Sequence, residues 1–429
     1  MSDWIRLNVF QRILRGWDSL HPYNAAQMMK LSGAPDREHL RNTWTETLTE
    51  LGLGPVRTSE GRFRWESTEA QAQADLIESA PGTTVDQLMT EELNRPFDSE
   101  TDLPFRAFVI AQSDGYYAGI VYHHWVADSS SIRLLLREWF LRLHRPSEAR
   151  RAPLPIAKKG YWHFFGPGRS DWTIVEAVLS GARWNARFRK ARRVDPEGFK
   201  DLSIHFSLHT APPGLIDAVV ASARRRGVTV NDMFLASMAR VCDRLIPVRR
   251  TPRRPDVALG TIVDLRPRSK HLSGDTFGLF LGFTSIFVRP TELASDDLLL
   301  QRIHYQNTVQ KQSATAESSM IRMFGGLVVA RMLKAESLLE FYRKRAALAA
   351  GISNVNLNRD WPSRYYPSPL LEYVRVSPVG PLLPVVFTPT THGNTLNFGL
   401  TCRQSVIPRG QEKPLAEMFL AQLQQLAGG

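Results

Sequence analysis

Cysteine is nearly absent: Cys242 and Cys402 are the only two in 429 residues. That excludes a disulfide framework, leaves no set of thiolates for a zinc site, and favours a reducing, cytoplasmic setting. Long apolar runs are missing too. The most apolar stretch, Phe277 to Val288, is about 12 residues long and includes Thr284 and Ser285, well short of the roughly 20 needed to cross a bilayer. The opening MSDWIRLNVFQRIL has no basic region followed by an apolar one, so no secretory signal is expected. What is present is an ordinary globular composition, 43% hydrophobic and 22% charged, in a chain long enough for two or three domains.

Acidic side chains are in deficit, 42 against 54 basic ones, for a formal net charge of +12. The imbalance begins after residue 170: about 20 basic and 21 acidic residues precede it, about 34 and 21 follow. The densest cluster is Arg183, Arg187, Arg189, Lys190, Arg192 and Arg193, followed by Arg224–Arg226 and by Arg249, Arg250, Arg253 and Arg254. Such a surface either attracts an acidic partner or is simply solvated. No zinc finger, aromatic RNA-binding strand or glycine clamp accompanies the charge, so nucleic acid is not an expected partner.

The pattern of apolar residues alternates between strand and helix without an internal repeat. Tyr23–Leu31 reads as a strand, and Asp36 starts a helix with Leu40, Trp44, Leu48 and Leu51 on one face. Phe105–Ala111 and Tyr116–Trp125 flank Asp114-Gly115, a hairpin signal. Ser129–Leu143 is a helix with Ile132, Leu135, Leu136, Trp139 and Phe140 inward. The Pro-, Gly- and Trp-rich stretch from about 145 to 183 reads as a crossover between lobes. Beyond it, strands are expected at Ile204–Leu208, Val257–Val263 and Phe277–Val288. Helices are expected at Pro212–Gly227, from Asn231 or Asp232 to Leu245, at Leu298–Gln312, Ser318–Ala350 and Lys413–Leu426. The expected fold class is α+β, a mixed α/β sandwich in two lobes, 1–170 and a basic 171–429.

The informative segment is Val121-Tyr122-His123-His124-Trp125-Val126-Ala127-Asp128-Ser129. Adjacent histidines on a strand point to opposite faces, so they neither share a metal nor act as a pair. One is expected to be packed, the other presented at the strand end. Asp128, four residues past His124, sits at a strand-to-helix corner, where it can hold backbone groups or an arginine.

This segment resembles the HHxxxDG signature of the condensation-domain-like, CoA-dependent acyltransferase superfamily. Three further stretches fall in the order that the superfamily would give: Val263-Asp264-Leu265-Arg266-Pro267-Arg268 with Gly274-Asp275-Thr276-Phe277-Gly278, then Gly351-Ile352-Ser353-Asn354-Val355, then Thr391-His392-Gly393-Asn394-Thr395. The resemblance covers essentially the whole chain, and only its first motif is specific. It implies two chloramphenicol-acetyltransferase-like lobes in a V around a central tunnel. It implies an acyltransferase moving an acyl group from a thioester to a hydroxyl or amine without an acyl-enzyme. His124 matches the general base, His123 the structural histidine, and Asp128 the aspartate that pairs with an arginine, for which Arg266 is the candidate. Ser353, Asn354 and His392 become tunnel candidates. The implied co-substrate is acyl-CoA or a phosphopantetheine thioester, with no permanently bound cofactor and no metal. The implied partners are acyl-CoA or an acidic acyl- or peptidyl-carrier protein and a small acceptor alcohol or amine. The chain is expected to be a cytoplasmic monomer without a membrane span.

Two departures from the pattern stand out. Ser129 occupies the place of the motif's glycine, and Leu279 follows Gly278 where the superfamily has asparagine. Serine keeps the backbone N–H that serves as an oxyanion donor if the turn needs no positive φ, and it also suits a helix N-cap. A second reading therefore stands beside catalysis: a non-catalytic platform that docks a carrier protein. Cys242 and Cys402 read as core thiols, His304 as a packing or surface residue, and Tyr161–Phe165 with Trp172 and Trp184 as lobe-bridging core. Gly325-Gly326 marks either a kink or a break between helices.

Overall fold

In a computed structural model of the chain, residues 4–66, 76–98, 103–166, 174–194, 201–246, 248–249, 251–313, 315–345, 347–366 and 368–428 are described. Contacts divide it into two compact units. The first comprises Met1–Phe165, Asp264–Leu281 and Asn358–Val376; the second comprises Gly166–Val263, Gly282–Leu357 and Ser377–Gly429. The division near residue 170 is present, but a continuous second lobe is not. Two segments of the later half fold into the first unit, because one supplies an edge strand and the other supplies partners for buried polar groups.

The first unit is built on a sheet ordered Leu370–Val376, Asn24–Leu31, Gly115–His123, Phe105–Gln112, Leu76–Glu78. Its pairs are antiparallel except the last, which is parallel. Gly115–His123, the motif strand, lies in the middle and is buried along its whole length. Within it Gly119 is required by contact: a Cβ there would come within 2.4 Å of Phe108 and 2.5 Å of Met28. The expected Asp114-Gly115 hairpin forms, Gln112 facing Gly115 across the turn. Helix Arg37–Leu51, capped by Asp36, and the motif helix Ser129–His144 pack together through Trp44 and Trp139, whose rings lie 5.1 Å apart.

The second unit carries a sheet ordered Leu281–Val288, Val257–Asp264, Ala350–Ile352, Val385–His392, Thr395–Arg403, Ile204–Thr210. Helices Leu215–Arg225, Val230–Arg244, Asp296–Gln312 and Glu412–Gly428 contribute to one core with Phe387, Phe398 and Phe419 at its centre. Cys242 and Cys402 are fully buried there, and burial pushes both thiols up, as fits core residues.

Several expected elements change. Helix Val9–Asp18, unforeseen, opens on a reciprocal cap between Asn8 and Gln11. Helix Val230–Arg244 is capped by Thr229, with Asp232 answering from its first turn, so neither Asn231 nor Asp232 is the cap. Residues 277–280 are loop, and the strand begins at Leu281. Ser318–Ala350 is two helices, Ser319–Met332 and Ala335–Arg345, before a strand at Ala350. The helix runs through Gly325-Gly326, and the break falls at Leu333–Lys334. The crossover contains helices Tyr161–Phe165 and Ile174–Phe188; Trp172 lies outside the described residues.

Candidate active site

The motif strand ends at His123, and His124 begins the turn leading to the motif helix. The two imidazoles meet different surroundings. His123 is buried at 3% exposure, stacked on Phe97 with ring centroids 5.3 Å apart. Its Nδ1 accepts a hydrogen bond from the Trp125 indole at 3.0 Å, so Nε2 carries the proton, and Nε2 lies 3.0 Å from the Asp18 carboxylate. Burial raises Asp18, but the His123 imidazole, the Tyr23 N–H and the charge of Arg15 together outweigh it and hold the carboxyl below the usual carboxylate range. His123 is thereby fixed in one tautomer and one orientation.

His124 is half-buried, parallel to the Tyr23 ring at 5.7 Å and edge-on to Tyr122 at 5.5 Å. Its Nδ1 sits 3.0 Å from the carbonyl oxygen of Ala127. A carbonyl only accepts, so Nδ1 carries the proton and Nε2 keeps its lone pair. Burial among these rings pushes His124 below the ordinary histidine value, against the opposing pull of the Ala127 carbonyl and Asp128. A neutral imidazole with Nε2 free to take a proton is the chemical capability of this turn.

Asp128 is 1% exposed and its carboxylate is fully engaged. Oδ1 accepts from the N–H groups of Ser130 and Ser131, capping the motif helix, and from Arg266 Nη2 at 3.1 Å. Oδ2 accepts from Arg266 Nη1 and from the Phe280 N–H, both at 2.8 Å. The structure thus brings Arg266 onto Asp128 as a two-bond pair. Burial opposes the Asp128 charge, but Arg266, with the N–H groups of Phe280 and Ser131, overrides it and keeps the carboxyl below its usual range. Burial likewise opposes the Arg266 cation, and Asp128 and Asp264 hold it above its usual value. The Gly278 carbonyl accepts from Asp128 N–H, Ser131 Oγ and Arg266 Nη2. That demand explains why residues 277–280 leave the expected strand: the loop's polar groups are committed to the motif corner.

Ser129 is the first helical residue, with no positive φ, and Asp128 is the cap in its place. Its N–H, unlike those of Ser130 and Ser131, takes no partner among the described residues. Its hydroxyl accepts from Gln27 Nε2 at 2.9 Å, Arg133 Nη1 at 3.1 Å and Arg375 Nε at 3.1 Å. Arg375 is 2% exposed, and burial together with the charge of Arg133 lowers it to about 10. Glycine offers none of these bonds. Ser129→Gly is expected to lower stability by about 1–3 kcal/mol, chiefly because the buried Arg375 loses its bond to the hydroxyl, whereas Gln27 keeps the Ser129 carbonyl. Denaturant midpoints measure this, and an unchanged midpoint would mean that the donors find equivalent partners without the hydroxyl.

Ser353, Asn354 and His392 lie in the second unit, while His124 and its turn lie in the first. Ser353 and Asn354 join the short strands Ala350–Ile352 and Val355–Asn356, and the Ser353 N–H reaches the Phe387 carbonyl at 3.0 Å. His392 ends strand Val385–His392, its Nε2 2.9 Å from Thr395 Oγ1. The basic cluster is not one solvated face. Arg192 turns inward to Asp243 at 2.6 Å and Arg193 bonds the Lys344 carbonyl, leaving Arg189 and Lys190 exposed. His304 reaches the buried Asp232 at 2.9 Å. Among the described residues no cluster of three or more His, Cys, Asp or Glu could hold a metal, and no helix is long and apolar enough to cross a membrane. Sequence reasoning missed Asp18, Gln27, Tyr23 and Arg375; of these only Asp18, 3.0 Å from His123 Nε2, has a recognisable chemical role to search for.

Two sheet-and-helix units, one carrying a His-His-x-x-x-Asp turn locked by arginine, form the condensation-domain-like fold. The comparisons with known proteins agree on that fold. Two curated relatives from Bacillus subtilis (strain 168) align over about half the chain. A plipastatin synthase component is 21% identical over 226 residues, 51% of this chain and 8% of that protein. A surfactin synthase component, the third, is 22% identical over 237 residues, 54% and 18% respectively. The chain therefore spans a small part of either relative's length. Similar solved structures cover nearly the whole chain. The cyclization-docking bidomain of the EpoB nonribosomal peptide synthetase from Sorangium cellulosum superposes with a TM-score of 0.68 at 13% identity, over 99% of this chain and 85% of that one. Polyketide synthase associated protein 5 from Mycobacterium tuberculosis gives 0.63 at 13% identity, over 100% and 99%. The X-domain from teicoplanin biosynthesis, also solved in complex with OxyB, gives 0.60 at 14%, over 99% and 95%. No protein-family model matches the sequence.

Proposed function

We propose that this chain transfers an acyl group from a pantetheine thioester, carried by coenzyme A or by a carrier protein, to a hydroxyl or amine acceptor. The observation that carries the reading is the His124 tautomer: Nδ1–H is committed to the Ala127 carbonyl, leaving Nε2 as a base. In the step proposed, Nε2 takes the proton of the acceptor O–H or N–H as that atom bonds to the thioester carbonyl carbon. The carbon–sulfur bond then breaks, and the departing thiolate recovers the proton from the imidazolium. Burial disfavours the charged imidazole, which favours this return. The unpartnered Ser129 N–H supports an oxyanion-donor role beside the turn. The acyl group never bonds to the protein, so proximity of donor and acceptor supplies much of the rate.

A second reading is a non-catalytic platform, favoured by Ser129 in the glycine position and by likeness to an X-domain solved with a protein partner. Incubation with a pool of acyl-CoAs and acyl-carrier proteins, plus alcohol and amine acceptors, separates the two. Protein-dependent thioester loss with a matching acylated acceptor is expected. Intact thioesters alongside stable carrier-protein binding would instead establish the platform.

A further inference from the structure

A cavity that His124 does not line lies entirely within the first unit. It measures about 380 Å³, in the range of small-molecule sites. Its lining includes the motif helix, through Ser130, Arg133 and Arg137, and also Asp264, Asp275, Arg359 and Asp360. Its charges are unevenly committed. Asp360 is bonded to Arg133 at 2.8 Å, Asp264 to Arg266 at 3.1 Å, and Asp275 to Arg150 at 3.3 Å. Every carboxylate in the lining therefore already faces a guanidinium.

Two cations of the same lining are left. Arg359 is exposed and has no carboxylate within ion-pair distance among the described residues. Arg137 has only Glu138 at 3.7 Å, and that carboxylate also receives Arg142 and the Arg150 N–H. The cavity lacks an anion, not a cation, which argues against a metal ion. Guanidinium pairs suit the oxygens of a phosphate, which they bind through two parallel N–H groups. Leu134, Pro267, Leu272 and Trp361 give the same cavity an apolar side, with Trp361 1% exposed and fixed by the rings of Phe140 and Tyr373. A phosphate joined to a flexible, largely uncharged arm matches both halves.

We infer that this cavity binds a phosphate group attached to the pantetheine arm of the donor, with Arg137 and Arg359 as its recognition residues. The inference rests on the acyl-transfer reading for the identity of the arm, and it is independent of His124 chemistry. Calorimetric titration of the full chain with coenzyme A, 4′-phosphopantetheine and pantetheine tests it. Pantetheine should bind more weakly than coenzyme A by roughly tenfold to a hundredfold, the value of a charge-assisted hydrogen bond converted to affinity. Arg137→Ala combined with Arg359→Ala should bring coenzyme A to the pantetheine level, while the double lysine variant retains part of the difference. Affinity of wild type for coenzyme A should fall as salt rises. If 4′-phosphopantetheine matches coenzyme A, the recognised phosphate is the one shared with a carrier protein; if coenzyme A alone binds tightly, it is at the nucleotide end. Either supports the site and assigns its source. Equal binding of all three, or coenzyme A binding unchanged in the double alanine variant, overturns it. His124→Ala should keep coenzyme A binding, so failure of transfer chemistry is read separately from failure of this site.

Discussion

Replacing His124 by alanine is expected, on the acyl-transfer reading proposed above, to slow thioester-dependent transfer by about 10²–10⁴-fold, the usual contribution of a positioned general base. The folded state should survive, because His124 is half-buried and its one polar side-chain bond goes to the Ala127 carbonyl, which a water can replace. Rates for wild type and variant with the same verified donor and acceptor, together with their melting curves, provide the measurement. Wild-type turnover in the variant would remove His124 from the chemistry. A variant that loses rate and melts with the wild type assigns the loss to the imidazole alone.

Replacing Asp128 by alanine acts through a different route. It leaves Arg266 buried at 3% exposure, with only the more exposed Asp264 as a counter-charge, and uncaps the motif helix. Removing one partner of a buried pair costs about 3–5 kcal/mol, and the lost cap adds to it. Stability should fall by at least that range, and activity with it, since the Ala127 carbonyl that orients His124 directly precedes Asp128. The pH dependence carries the same information. Asp128 is held below the usual carboxylate range in the folded chain. Its stabilising contribution is therefore fully present above the unfolded carboxyl value of about 4 and is lost as pH falls through the depressed folded value. The variant should lack that part of the acid loss. An unchanged denaturant midpoint at neutral pH would contradict the buried pair.

The motif corner was legible because its signals are local. His123 and His124 alternate across a strand end, Asp128 caps the helix four residues on, and Asp114-Gly115 turns the hairpin. The sequence also offers a helix over Thr84–Leu93 capped by Thr83 or Thr84, and Thr84, answered by Gln87, is the cap of helix Val85–Asn94. Helix Val9–Asp18 carries the same kind of signal in Asn8 and Gln11, but its short apolar run so near the chain start is easily taken for unstructured sequence. Other features leave no local trace. Strand Leu370–Val376 pairs with Asn24–Leu31 across more than 300 residues, and no periodicity encodes that choice. Arg375 enters the Ser129 network only through this pairing. Loop 277–280 is as apolar as a strand, yet the Gly278 carbonyl and the Phe280 N–H are taken by Asp128, Ser131 and Arg266. Tertiary hydrogen bonding overrides the apolar pattern there. The arginine cluster near residue 190 misleads for a related reason: charge read from sequence does not reveal that Arg192 is buried against Asp243.

The account depends above all on His124 presenting a neutral Nε2 lone pair, and that can be measured without knowing any substrate. Nitrogen-15 NMR of the histidine side chains, with His124→Ala to identify the resonance, reports both tautomer and titration. The account predicts that at pH 7.5 Nδ1 is protonated and Nε2 is not, and that the imidazole titrates below the ordinary value of about 6.5. A proton resident on Nε2 at that pH, or titration above the ordinary value, would contradict the general-base assignment.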